Sequence, residues 1–155
     1  MNVHDRPAPG LSFPVLVLLA LIAAPRVVLH DLGLIQEGTF VNALFVFVPP
    51  LAWIAVVLWR RVPNPFRTLL VVGVLYGVAL MLGHQILWTV AHGGDAPTLG
   101  GDLADLSPVV QQVVIRVFAA LSSLVTGTVV GAVCGLIAWG ASRVLPVPAA
   151  TRADG

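Results

Sequence analysis

Apolar residues in this chain do not alternate with polar ones at a strand or amphipathic-helix period. They come in long, nearly unbroken runs separated by short polar stretches rich in glycine and proline. A helix needs about 20 mostly apolar residues to cross roughly 30 Å of hydrocarbon. Four runs qualify, at about Phe13–Leu29, Phe40–Trp59, Thr68–Ala91 and Val109–Leu145. Three of the starts are punctuated alike: Ser12 with Pro14, Asn64 with Pro65, and Ser107 with Pro108. A polar side chain can cap the first free N–H groups, and a proline in the first turn lacks an N–H that would have no partner there.

The last run is too long for one crossing, since at 1.5 Å per residue it measures about 55 Å. Its first part, with Gln111, Gln112 and Arg116, is the least apolar. The span is therefore expected at about 117–141, in a helix extended from about 108, and a break would fall near Arg116. The other spans are about 13–29, 40–59 and 68–91.

Composition turns four runs into a class. Of 155 residues, 58% are apolar and only 10% charged. A soluble domain carries about 25% charged residues, so this chain could not cover a water-facing surface. The expected fold is an all-α integral membrane four-helix bundle, antiparallel, forming one domain over 1–145. A Pro/Ala-rich tail at 146–155 is expected to be disordered. Arg6 ahead of an apolar run has the outline of a signal peptide. Pro25 directly after Ala23-Ala24 disfavours cleavage, and the run continues to Leu29, so the segment is expected to stay.

All eight basic residues are arginine, and their placement sets an orientation. Arg60, Arg61 and Arg67 surround the loop between the second and third runs, with Arg6, Arg143 and Arg152 toward the termini. The loops around 30–39 and 92–108 hold Asp31, Glu37, Asp95, Asp102 and Asp105 and no arginine. Basic loops stay inside, so both termini are expected in the cytoplasm of a prokaryotic cell, in a multi-pass protein of the cytoplasmic membrane. Trp59 and Trp139 then fall at the inner interface and Trp88 at the outer one.

Several chemistries are excluded. A net charge of +1 without a basic block gives no nucleic-acid footprint. Cys134 is the sole cysteine, which rules out an internal disulfide, a CxxC pair and a thiolate zinc site. No HExxH, GxSxG, Walker A or Rossmann glycine pattern occurs, so no catalytic or metal residues are assigned. No carboxylate lies inside a span, unlike the carboxylate-driven small multidrug-resistance transporters of similar size. Gly93-Gly94 and Gly100-Gly101 read as turns, and the loop aspartates as solvated.

Ala119, Ser123, Gly127, Gly131 and Gly135 recur every four residues in the last run, and Gly73 and Gly77 do so in the third. Small residues at this spacing let two backbones approach closely. Counted from the inner boundary, Gly73 matches Gly135 in depth and Gly77 matches Gly131. This predicts a contact between helices three and four of one chain; a homodimer through helix four is the alternative. Pro49 and Pro50 deprive the carbonyls of Phe45 and Val46 of their helical donors. That predicts a kink, with a hinge or carbonyls facing a cavity as the sharper readings.

Ionisable groups in a membrane are costly and are the first functional candidates. Arg26, Asn42, His84, Gln85 and Arg116 all fall in the outer third of the spans, one or more from each helix. As structural residues, the two arginines would snorkel or pair with Asp31, Glu37, Asp102 or Asp105, and His84 would bond Ser122, Ser123 or Thr126. As a site, the arginines would fix an anionic ligand or lipid headgroup while His84 and Gln85 orient it. The leading expectation is a non-enzymatic binding or accessory subunit, with membrane lipids as neighbours and no cofactor. The alternatives are a subunit of an oligomeric small-solute transporter or channel hinged at Pro49-Pro50, and a redox protein holding haem between His84 and His30 or His92.

Overall fold

A computed structural model describes residues 10–95 and 97–145; Arg6, Arg152 and the 146–155 tail lie outside them. The fold is all-helical. In chain order the helices are α1 (Phe13–Leu21), α2 (Pro25–Asp31), α3 (Phe40–Trp59), α4 (Pro65–Ile86), α5 (Trp88–Ala91) and α6 (Pro108–Val144), with one 3-10 turn at Gly101–Leu103. Among the described residues, Phe13–Asp31, Phe40–Trp59, Pro65–Ile86 and Pro108–Val144 are long and apolar enough to cross a membrane. Phe47, Leu51, Phe118, Val125 and Leu136 are more than half exposed, so the helices turn apolar faces outward, as lipid requires.

The first run is not one helix. Pro25 has no N–H, so the carbonyl of Leu21 loses its helical donor. The chain tightens instead: the Ala23 N–H donates to Ala20 O at 3.2 Å and the Ala24 N–H to Leu21 O at 3.1 Å. That shift leaves the Leu19 carbonyl free, and the Trp53 indole N–H donates to it at 2.6 Å. Trp53 is fully buried and meets Tyr76 edge-on at 5.6 Å. A side chain from α3 thus satisfies the carbonyl that the tightened turn before Pro25 leaves free.

Further differences concern ends and breaks. The third run ends at Ile86, five residues short of Ala91, because Leu87 departs from helical geometry before α5. The 37-residue α6 runs unbroken past Arg116. Ser12 and Ser107 occupy N-cap positions without a side-chain cap bond, whereas Asn64 accepts from the Arg67 N–H and Thr39 from the Asn42 N–H. α3 remains helical through Pro49 and Pro50.

The closest approach is between α4 and α6. A Cβ on Gly73 would lie 2.5 Å from Gly127 O and 2.5 Å from Gly131 Cα; one on Gly131 would lie 2.6 Å from Leu69 O. Gly77 faces Ser123 and Leu124, and Gly135 faces Phe66. The partners' numbers fall along α6 as they rise along α4, so these two helices run in opposite directions. The register differs by between one and two turns from equal-depth pairing: Gly73 sits between Gly127 and Gly131, and Gly135 is left to Phe66. Phe66 lies beyond the apolar run from which depth was counted, in the first turn that Pro65 adds. The glycine face of α6 is filled by α4 of the same chain, so a second copy would meet the exposed valine and leucine face instead.

Backbone stands against backbone in this seam, and neither side can yield cheaply. Gly127→Val is expected to lower thermal stability by more than about 3 kcal/mol, or to prevent folding in detergent. Gly140, with nothing within 4 Å of a would-be Cβ, serves as the control. Gly140→Ala is expected to be neutral or stabilising by up to about 1 kcal/mol. Melting curves of the two variants compare directly.

Candidate functional site

The α4–α6 seam fixes the depth of His84, and α2 supplies its partner. A Cβ on Gly83 would come within 2.8 Å of Val27 Cγ1, so α2 packs close against α4 there. One turn past Val27, the last residue of α2 is Asp31. Its side chain is 5% exposed, and its Oδ2 lies 2.8 Å from His84 Nδ1. His30 Nδ1 is 3.6 Å from the other oxygen, and His30 Nε2 is 3.6 Å from Glu37. α2 stops here because Gly33 takes a left-handed φ of 69°. The Gly33 N–H then donates to His30 O and the Leu34 N–H to Leu29 O, a Schellman ending.

A carboxylate at the C-terminal end of a helix opposes the helix dipole, and burial raises the cost. Asp31 is tolerated because an imidazole N–H donates to it. An ionised carboxylate only accepts, so His84 carries its proton on Nδ1 and keeps a lone pair on Nε2 when neutral. His92 is fixed in the same way, since its Nδ1 lies 2.8 Å from the Trp88 carbonyl, which can only accept. Both tautomers are assigned from these partners.

His30, Asp31, His84 and His92 line one cavity of about 570 Å³, walled by Trp88, Ile115, Phe118 and Ala119, with Ser122 and Ser123 at its side. Pro97 also borders it. The loop carrying Pro97 is fastened to α6 by the buried Gln111, which accepts from the Leu99 N–H at 2.8 Å and donates to Ala104 O and Leu106 O at 3.0 and 2.8 Å.

The five ligand candidates lie at this end of the helices in three groups. Arg26 Nε donates to Asn42 Oδ1 at 3.1 Å. Arg26 also lines a separate cavity of about 180 Å³ with Tyr76, Thr126, Pro50, Phe45 and Val46, the last two being the residues whose carbonyls the prolines deprive. His84 joins Asp31. Gln85 Nε2 donates to Arg116 O at 3.1 Å, and the Arg116 guanidinium lies 4.9 Å from the Trp88 ring centre.

Arg26 and Arg116 line different cavities and do not form one clamp. Among the described residues no arginine lies within 4 Å of a carboxylate; Asp31 and Glu37 face histidines. His84 bonds neither Ser122, Ser123 nor Thr126, and Ser123 donates to its own helix at Ala119 O. Among the described residues no three His, Cys, Asp or Glu side chains group as a metal site.

Sequence reasoning named Asp31 only as a loop carboxylate that an arginine could pair with, and Gln111 only as part of the least apolar stretch of the last run, neither as a site residue. The signal for Asp31 was the His30-Asp31 pair just before Gly33, at the same end as His84. Gln111, beside Gln112, carried no signal that separated a loop fastener from an interfacial residue.

Comparison with protein-family models, with curated proteins and with solved structures finds no match to this chain.

Gln111→Leu removes three hydrogen bonds of the loop at once. It is expected to speed amide exchange at Leu99 and across 97–107 by about tenfold or more while α4 stays protected. Hydrogen-exchange mass spectrometry reads both regions in one experiment.

Proposed function

We propose that this chain is a small multi-pass protein of the cytoplasmic membrane that binds a small amphipathic molecule in the histidine-lined cavity. It would act as a non-enzymatic binding or accessory subunit. On this reading the helices form an antiparallel bundle with both termini inside, and the cavity opens at the outer face. The arginine-rich loop at 60–67 and the acidic loops at the opposite end support that orientation.

The observation that carries the reading is the pair of the half-buried His84 with the buried Asp31 at the wall of the 570 Å³ cavity. Small-molecule sites span about 300–1,000 Å³, are mostly apolar, and hold a few placed polar groups. Here Phe118, Ile115 and Ala119 offer apolar wall, and the imidazole nitrogens left free offer acceptors. The complementary ligand has a ring or tail for the walls and a hydroxyl for His84, as a phenol or hydroquinone does.

Native mass spectrometry of the detergent-solubilised chain tests this with decylhydroquinone and its dimethyl ether. The hydroquinone is expected to be retained at least about tenfold better than the ether, which cannot donate. Ala119→Phe, which fills the cavity without touching the Asp31–His84 bond, is expected to abolish retention. Equal retention of the two compounds, or full retention in Ala119→Phe, contradicts the reading.

Orientation is tested separately by cysteines in a Cys134→Ala background. Cysteine at Asp102 is expected to react with an impermeant thiol reagent in whole cells, and cysteine at Asn64 is not. The reverse labelling would place the cavity on the cytoplasmic side.

One observation favours haem as a second reading. His84 and His92 each have Nδ1 tied to an acceptor, the arrangement by which metal-ligating imidazoles are oriented. Under this reading the purified chain shows a Soret band that His84→Ala removes; a colourless chain that gains no band with added haemin rejects it.

A further inference from the structure

The smaller cavity, of about 180 Å³, is bordered by Ala23 and Arg26 of α2, Val46 and Pro50 of α3, Tyr76 of α4 and Thr126 of α6. All four candidate spans meet at it. Pro50 and Tyr76 stand at the midpoints of α3 and α4, so on the reading of these helices as spans it lies near mid-membrane. Along α6, Ser122 of the histidine cavity is followed one turn on by Thr126. Along α2, Arg26 precedes His30 by the same spacing. The two cavities therefore stack, with the histidine cavity nearer the end of the bundle.

Arg26 brings a charge into this place. Its Nε donates to Asn42 Oδ1 at 3.1 Å, and among the described residues no acceptor meets its other four N–H groups. Among those residues no carboxylate lies within 4 Å of it, since Asp31 and Glu37 face histidines. A cation unpaired at this depth is costly, and a counter-charge with hydrogen bonds offsets that cost. Tyr76 and Thr126 line the same cavity, and among the described residues neither hydroxyl has a hydrogen-bond partner. The cavity thus holds one positive charge and several donors without acceptors.

We propose that this cavity binds one small monovalent inorganic anion of the halide class, held by Arg26 with the Tyr76 and Thr126 hydroxyls. One guanidinium balances one negative charge, so phosphate or sulfate would bring a second charge with nothing to meet it. The remaining wall is Ala23, Phe45, Val46, Pro50 and Val130, which cannot replace a full hydration shell. A large, weakly hydrated ion loses least on leaving water, so bromide binds more tightly than chloride, and fluoride least. The carbonyls of Phe45 and Val46 only accept, which keeps the anion on the Arg26 side. The anion needs nothing from His84, so its site is independent of any ligand in the histidine cavity.

Chloride-35 NMR of the detergent-solubilised full chain, at fixed ionic strength with gluconate as the other anion, reads the site as excess line width. The unmodified chain is expected to show an excess that bromide removes at lower concentration than fluoride does. Arg26→Gln is expected to weaken chloride binding by about tenfold and Arg26→Lys to recover part of it. Arg143→Gln, whose arginine lies over Trp139 and does not border the cavity, is expected to leave it unchanged. Crystals of the unmodified chain grown in sodium bromide locate the ion without any variant, with an anomalous peak expected against the Arg26 guanidinium. Absence of excess width in the unmodified chain assigns the cavity to water and overturns the proposal. So do the same width in a folded Arg26→Gln, bromide peaks only elsewhere, or phosphate competing as well as bromide.

Discussion

The structure depends first on the backbone contact between α4 and α6. In lipid there is no hydrophobic gain in bringing two apolar helices together, so association rests on how closely the backbones approach. Gly73 and Gly77 against Gly127 and Gly131 allow an approach that any side chain would block. That register also sets the site. It places the end of α4 beside the first half of α6, so that Gln85 reaches the Arg116 carbonyl while His84 shares a cavity with Ser122 and Ser123. A slip of one turn would separate all of these groups.

Prolines impose the second constraint, since each frees a carbonyl where no water is at hand. Pro25 splits the first span, and Trp53 repairs the consequence at Leu19. Pro49 and Pro50 leave α3 helical, and Phe45, Val46 and Pro50 border a cavity that also holds Arg26, Tyr76 and Thr126. At the first place a side chain from a neighbouring helix meets the defect; at the second, polar side chains of neighbouring helices border the same cavity. The polar residues of this chain are thus bound up with its backbone as much as with any ligand.

The four spans were legible because a membrane crossing demands one kind of sequence, and the glycine stripes named the right pair of helices. Their register was not legible, because depth was counted from the edges of apolar runs, and close backbone contact, not level helix ends, decides which glycines meet. The same difficulty hid the split at Pro25, where hydropathy stays high across a change of hydrogen bonding. At the candidate site, His84 was visible as the polar residue of an apolar helix. Its partner was not, because Asp31 sits at a span end, where a carboxylate is ordinarily solvated. Only the close approach of Val27 to Gly83 shows that this end is buried. The two arginines share a depth but face different cavities, and no linear count of residues could separate them.

The central claim is that Asp31 fixes His84 with its proton on Nδ1 and turns Nε2 to the cavity. Nitrogen-15 NMR of histidine-labelled protein in lipid at pH 8 reads this directly, with His84→Gln assigning the signal. The account predicts a His84 protonated at Nδ1, with an Nδ1 shift that moves in Asp31→Asn. A His84 protonated at Nε2, or a signal unchanged in Asp31→Asn, would contradict it.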